Sequence, residues 1–315
     1  MTERVLVTGG AGFIGSHVAD IYVREGYDVV VLDDLSSGRR KNVPAAAEFI
    51  EYGVNDPQAR ALLETGGFSI LNHHAAQMDV RVSVENPLRD ERINLGGLLN
   101  LLEGARQGGV RRVVFASSGG VVYGEGSALP YPETAAKLPV SPYGVSKLAS
   151  EYYLGVYALL HGIEAVPLRY ANVYGPRQNP HGEAGVVAIF CSRLLRDDPL
   201  TVYGDGEQTR DYVFVEDVAR ANLAATRGAL PALEDLDDVA FNVGTGVETS
   251  VNELARTLLD ITDSDLAIHH AAPRAGELFR SAIDPSKLAA TWNWQPQIGL
   301  ADGLKRTYDW IASDQ

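Results

Sequence analysis

The stretch "VLVTGGAGFIGSHVA", Val5 to Ala19, constrains the fold of this chain more than any other. An apolar run ends in a glycine turn, and the turn opens directly into an amphipathic run with helical period. Two glycine frames overlap there, Gly9-x-x-Gly12-x-x-Gly15 and Gly10-x-Gly12-x-x-Gly15. Both describe a turn whose backbone approaches a pyrophosphate, with N–H groups presented by a helix N-terminus and the helix packed close on the strand. A second apolar strand follows and ends at Asp33, 24 residues after Gly9, where a carboxylate can bond adenosine ribose hydroxyls. A glycine turn needed only for packing does not predict Asp33. That carboxylate also repels a 2′-phosphate, so the expected cofactor is NAD rather than NADP, although Arg39 and Arg40 lie just beyond.

Short apolar runs alternate with amphipathic ones through the first half: "RVLV", "SHVADIYVREG", "YDVVVLDD", "EFIEY", "FSILNHHAA", "RRVVFASS". This βαβα order predicts an α/β protein with a Rossmann-type doubly wound parallel sheet, followed by a smaller α/β C-terminal substrate domain. The dinucleotide-binding domain is expected over 1–168, with segments returning from about 209–250, and the second domain mainly over 169–315. Such sheets bind ligands beyond the carboxyl ends of their strands. Gly9 to Gly15, Asp33, Ala75 to Gln77 and Ser117 to Ser118 all fall at such ends. The acidic segment "PALEDLDDV" reads as a solvated loop without a role.

A net charge of −14 disfavours nucleic acid and anionic membranes as partners, so any anionic small molecule needs local arginines. No apolar run is long enough to span a bilayer, and "MTER" leads into the first strand without a signal-peptide pattern, so a cytoplasmic location is expected. The single cysteine, Cys191, excludes an internal disulfide and reads as a buried inert thiol. The pairs His73-His74 and His269-His270 lack metal-ligand spacing, and no metal is expected.

"SPYGVSKLASEYYLGVYALLHG" reads as a helix with Ser141 as N-cap and Pro142 at its first position. Tyr143 and Lys147 stand one turn apart on one face. With 5 Lys and 14 Tyr in the chain, chance predicts about 0.2 such pairs, and this is the single one. A tyrosine acts as a base near neutrality only if its phenolate gains ~4 kcal/mol, which a lysine, a helix N-terminus and an oxidised nicotinamide can supply together.

These residues resemble the extended short-chain dehydrogenase/reductases through "TGGAGFIG", Asp33, "HHAAQ", "ASSGGVVYGE" and Tyr143-x-x-x-Lys147. Within that superfamily the chain is similar to the UDP-glucose 4-epimerases along "VLDDLSSGRRKNV", "VRVSVENP", "LRYANVYGPRQNPHGEAGVVAIF" and "GDGEQTRDYVFVEDVA", which together cover essentially its whole length. The resemblance implies a tightly held NAD that cycles, Tyr143 as base with Lys147 beside it, and Ser118, or alternatively Ser117, polarising the sugar 4-oxygen. Dehydratases of the family carry acidic residues where this chain has Ser118-Gly119-Gly120, so epimerisation is expected and dehydration is not.

The resemblance further implies cofactor contacts at Gly9, Gly12, Phe13, Ile14, Gly15, Asp33, Asp34, Ser37, Gly38, Ala75, Ala76, Gln77, Asn94, Tyr143, Lys147 and Tyr170. For the UDP-sugar it implies Ser118, Tyr143, Asn172, Val187, Tyr203, Arg210, Arg274 and Ser281. Ser281 stands where some epimerases have a bulky tyrosine, which leaves room for an N-acetyl group and adds UDP-GlcNAc to the expected substrates. A homodimer through helices around Leu95 to Ala105 and Tyr143 to Leu160 is also implied. The competing readings are a UDP-glucuronate 4-epimerase or related enzyme, and a catalytically silent NAD-binding regulator.

Overall fold

Every apolar run of the first half becomes a strand of one parallel sheet. In the computed structural model, which describes residues 2–126, 128–180, 185–273 and 278–314, these are β1 (Arg4–Thr8), β2 (Asp28–Leu32), β3 (Glu48–Ile50), β4 (Ile70–His73), β5 (Arg112–Ser118) and β6 (Glu164–Tyr170). The sheet has seven strands in the order β3-β2-β1-β4-β5-β6, with Phe241–Val243 beyond β6, and all neighbours run parallel. The order reverses between β1 and β4, which opens a crevice at the carboxyl edge of the sheet.

The strands are apolar on both faces because helices cover both. Leu6, Val30, Leu71, Val113 and Phe115 pack with the helices Pro57–Thr65 and Gly97–Gly108 on one face. On the other, Val5, Val7, Val29 and Val31 meet Val18, Ile21 and Tyr22 of α1 (Phe13–Arg24). Val114, Val166 and Leu168 meet Val218, Ala221 and Ala225 of the helix Val215–Arg227. Each fully buried aliphatic side chain contributes roughly 1.5–3 kcal/mol.

A separate core gathers Phe190, Leu194, Leu254, Leu258 and Leu304 from the helices Val186–Leu194, Val251–Thr262 and Leu300–Ser313. Two small sheets edge this core. Leu200–Tyr203 pairs with Ile268–Ala271, and Thr209–Arg210 lies between Thr249–Ser250 and Arg280–Ser281. Cys191 is buried in this core, and burial pushes its thiol up to about 12, as expected of an inert cysteine. Among the described residues no helix is long and apolar enough to cross a membrane.

The acidic segment corrects the sequence reading. Residues 231–235 are irregular and mostly exposed as expected, but the segment then turns inward: Asp235 caps the short helix Leu236–Val239, and Asp237 Oδ1 accepts from Arg169 Nη2 at 2.9 Å while its other oxygen pairs with Lys137. Arg169 is fully buried, and one carboxylate leaves part of its donor fork unmatched, which is why a second acid is drawn in.

Candidate functional site

Gly9 has φ +67°, and a Cβ there would lie 2.6 Å from the Ala75 nitrogen. A Cβ on Gly15 would lie 2.3 Å from the Gly9 carbonyl oxygen. These two glycines are fixed by the chain's own packing. Gly12 differs: a Cβ on it would meet only the Gly9 carbonyl, at 3.1 Å, and its remaining side is open. Gly12 is also the N-cap of α1, with no side-chain cap and no acidic residue in the first turn, so the helix presents bare N–H groups there. That open approach and unopposed positive end fit a pyrophosphate.

Asp33 is 7% exposed, and burial pushes its carboxyl up, against the pull of two backbone donors. Those donors are Leu35 N at 2.9 Å on Oδ1 and Ala11 N at 3.0 Å on Oδ2, which tie the end of β2 to the glycine turn. Each oxygen retains a lone pair for a further donor. Gly38 packs so closely that a Cβ would lie 2.8 Å from Asp33 Oδ1, while Asp34 and Ser37 are exposed beside it. Arg39 is paired with Asp314 at 3.3 Å, and the Arg40 guanidinium lies 4.3 Å from the Phe49 ring centroid. Both cations next to Asp33 in sequence have these other partners.

At the end of β4, His73 Nδ1 and Thr8 Oγ1 are 2.6 Å apart, joining β4 to β1. Burial pushes His73 and His74 down to about 3, so both rings are neutral. His74 stacks on Tyr170. Among the described residues no group of three His, Cys, Asp or Glu side chains could hold a metal ion. Gln77 N donates to Asn94 Oδ1 at 2.8 Å, and Asn94 Nδ2 returns a bond to Gln77 O at 2.9 Å. Asn94 sits in a π-helical turn, Arg92–Gly96, between the helices Pro87–Glu91 and Gly97–Gly108.

Ser141 caps the helix Pro142–His161 by accepting from Gly144 N, with Pro142 at the first position, as the sequence predicts. Lys147 Nζ donates to the Ala116 carbonyl at 2.8 Å and lies 4.7 Å from the Phe115 ring centroid and 5.8 Å from that of Tyr143. Burial brings Lys147 down to about 8, while Asp90 and Glu151 push it upward. Burial, with the Asp90 charge second, drives the Tyr143 phenol well above its ordinary value. A positively charged group bound beside the phenol, such as an oxidised nicotinamide, would pull it the other way.

Successive β5 residues face opposite sides of the sheet. Ser117 is 3% exposed and donates to Glu151 Oε1 at 2.5 Å; Glu151 in turn holds Arg169 through both carboxylate oxygens. Ser118 is half-buried at the end of β5: a Cβ built on Gly120 would stand 3.9 Å from its Oγ and 4.0 Å from Asn172 Oδ1. Glu125 does not reach this place, since its carboxylate accepts from Phe279 N at 2.8 Å.

Several expected ligand contacts turn inward. Asn94 is 2% exposed with its amide fully used inside the chain, because it cross-links the loop after β4 to the following helix. The Tyr170 hydroxyl accepts from Asn222 at 2.8 Å, and Val187 is fully buried in the second core. Val187 offers a ligand its backbone rather than its side chain, and Tyr170 keeps its hydroxyl proton as a donor. The Gln77 amide is likewise bonded to Asp79 and Asp90. Arg210 and Ser281 are register partners in the small sheet, Asn172 is exposed and its N–H donates at 2.9 Å to the carbonyl of Asp211, the residue after Arg210, and Tyr203 ends the strand Leu200–Tyr203. Arg274 lies outside the described residues.

The sequence reading missed Asp90, Glu151 and Arg169. A signal existed for the two acids: Asp90 stands four residues before Asn94 and Glu151 four after Lys147, so each shares a helix face with a residue already singled out.

The profile of the NAD dependent epimerase/dehydratase family matches residues 5–244. A UDP-glucose 4-epimerase of Mycolicibacterium smegmatis is 43% identical, over 98% of this chain and 99% of its own. The fold is similar to that of a UDP-glucose 4-epimerase from Thermotoga maritima crystallised with UDP-glucose (TM-score 0.94, 43% identity, 99% of each chain). It is also similar to the Thermus thermophilus UDP-glucose 4-epimerase in complex with NAD (TM-score 0.91, 44% identity, 99% of this chain and 100% of the other).

Proposed function

This chain belongs to the NAD dependent epimerase/dehydratase family, and from that premise we propose that it is a nucleotide-sugar 4-epimerase interconverting UDP-glucose and UDP-galactose. One observation carries the reading. The Tyr143–Lys147 pair stands at the carboxyl edge of the sheet, beside a strand end that reads Ser118-Gly119-Gly120 with no acid to expel water.

Bound NAD would supply a reversible hydride acceptor for sugar carbon 4, which makes the net reaction an isomerisation. The open face of Gly12 and the first turn of α1, with Phe13, Ile14 and Gly15, receive the pyrophosphate. Asp33, flanked by Asp34, Ser37 and Gly38, faces the adenosine ribose. The backbone of Ala75 and Ala76 lines the crevice. Tyr143 takes the proton of the 4-hydroxyl and later returns it to the 4-oxygen, and Lys147 supplies positive charge next to the phenol. Ser118 holds the 4-oxygen, because Ser117 is committed to Glu151. Arg210 and Arg274 neutralise the UDP pyrophosphate, and Asn172, Tyr203 and the Val187 backbone hold the nucleotide.

In this reading the residues 1–168, with returning segments over about 209–250, carry the cofactor, and 169–315 mainly the sugar nucleotide. Ser281 keeps its place small, so UDP-GlcNAc is a second substrate; Ser281→Tyr is expected to cut that activity more than the UDP-galactose activity. Arg177 is tied to Asp20 at 2.7 Å, which takes away one candidate for holding a sugar carboxylate and weighs against glucuronate. The proposal includes a cytoplasmic homodimer. Its support is the apolar stripe on the helix Pro142–His161, where Tyr152, Leu159 and Leu160 are 59%, 72% and 71% exposed.

The test is incubation of the purified protein with UDP-galactose and no added cofactor, followed by proton NMR of the anomeric signals. UDP-glucose is expected to appear. No conversion, even with NAD supplied and with UDP-GlcNAc and UDP-glucuronate tried, would leave the silent NAD-binding regulator as the better account.

A further inference from the structure

Asp90 is a fully buried carboxylate that no step above employs. Its partners come from three separate pieces of chain. Gln77 Nε2 donates to Oδ1 at 2.9 Å, Asn94 Nδ2 to the same oxygen at 3.0 Å, and Ser146 Oγ to Oδ2 at 2.5 Å. Gln77 lies on the loop after β4, Asn94 in the π-helical turn, and Ser146 directly before Lys147 on the helix Pro142–His161. A buried carboxylate stripped of its donors is strongly unfavourable, so the three links hold together or fail together.

The two elements joined are the two halves of the reaction site. Ala75, two residues before Gln77, packs against Gly9 of the glycine turn, with its nitrogen 2.6 Å from where a Gly9 Cβ would be. Ser146 is in the same helical turn as Tyr143 and Lys147. We propose that Asp90 is a positioning residue: its carboxylate locks the Ala75–Gln77 loop to the helix carrying Tyr143 and Lys147, so that bound cofactor and base keep one mutual geometry. The proposal rests on the epimerase reading above.

Asp90 also stands close enough to act on both members of the pair by charge, raising the proton affinity of Tyr143 and of Lys147. The other groups around Lys147 are Glu151, which is held by Arg169, and His73 and His74, which are neutral. Removing the Asp90 charge therefore lowers both titrations together. The base limb and the lysine limb of a bell-shaped rate profile would move toward acid in parallel, a result that lost packing alone does not produce.

The experiment is Asp90→Asn in the full chain with its retained NAD, measuring UDP-galactose conversion against pH together with the thermal midpoint. The expected result is a kcat lower by about 100-fold with KM little changed, as for a small misalignment of reacting groups, and both pH limbs shifted toward acid. Limbs that stay where they are in the wild type, or a kcat within about threefold of it, make Asp90 an ordinary packing group and overturn the proposal. If Asp90→Asn does not fold, Ser146→Ala cuts only the link to the helix. It is expected to lower kcat about tenfold, and an unchanged kcat overturns the idea. Should the wild type convert no UDP-sugar, the epimerase reading fails by itself. Amide hydrogen exchange over residues 74–78 then decides: about tenfold faster exchange in Asp90→Asn supports the lock, and equal exchange removes it.

Discussion

Ser117 donates its hydroxyl to Glu151 across 2.5 Å, inside a cluster completed by the fully buried Arg169. Its neighbour Ser118 faces the other way. Two adjacent hydroxyls on one strand thus have different surroundings, and substitution separates them. Ser118→Ala should lower kcat by about 10²-fold at unchanged stability, whereas Ser117→Ala should leave kcat within a few-fold and cost about 1–3 kcal/mol of stability, because Glu151 loses a donor. Steady-state kinetics and urea unfolding of both variants decide it; the opposite assignment would place the chemistry on Ser117.

Tyr143→Phe should reduce epimerisation by about 10²–10⁴-fold while leaving bound NAD and the thermal midpoint in place, since the hydroxyl matters for proton transfer and not for packing. NAD content released by denaturation, together with the NMR assay, checks both halves. An active Tyr143→Phe variant would remove the proposed base.

Gly15→Ala would put a methyl 2.3 Å from the Gly9 carbonyl, so the turn has to open. The expected cost is about 1–3 kcal/mol of stability and loss of retained NAD on purification. Gly12→Ala, with one neighbour at 3.1 Å, should cost less stability and yet weaken NAD as much, because the methyl would occupy the side left open for the pyrophosphate. A Gly12→Ala protein that keeps its full NAD complement would contradict that reading of the turn.

His73 is 1% exposed and its pKa is pushed by burial to about 3, below the usual 6.5. Below pH 6.5 the unfolded chain takes up a proton that the folded ring refuses. Stability is therefore whole above 6.5 and is lost as pH falls toward 3, by roughly 1.4 kcal/mol per pH unit from this group. Urea midpoints should be flat from pH 8 to 7 and fall between pH 6.5 and 5. His74, also pushed down to about 3, adds to the same fall, and a midpoint that rises over the lower interval would mean that these two rings are not held neutral.

The sheet was legible because its strands are short apolar runs bounded by turn residues, and the helix around Tyr143 because Ser141 and Pro142 mark its start. The glycine turn was legible for the same reason: Gly9 and Gly15 answer to local backbone geometry, which sequence spacing records. What stayed hidden depends on chain segments meeting far apart in sequence. Nothing in "PALEDLDDV" says that Asp237 will be recruited by Arg169, 68 residues away, and it read as a solvated loop. Nor does the sequence show that the Asn94 amide bonds Gln77 and Asp90, or that the Tyr170 hydroxyl accepts from Asn222. A residue type suited to ligand contact is equally suited to cross-linking the protein, and only the fold decides which.

The π-helical turn Arg92–Gly96 carries a constraint of another kind. Such a turn is an α-helix with one residue too many. Deleting a single residue there would restore a regular helix and rotate one flank against the other by about 100°. Either Asp90 would leave Gln77 and Ser146, or Leu98, Leu101 and Leu102 would leave the core. Insertions and deletions that the surface loops absorb freely would be excluded here, so the length of this segment should be as invariant among functional variants of the chain as the identity of its buried acid.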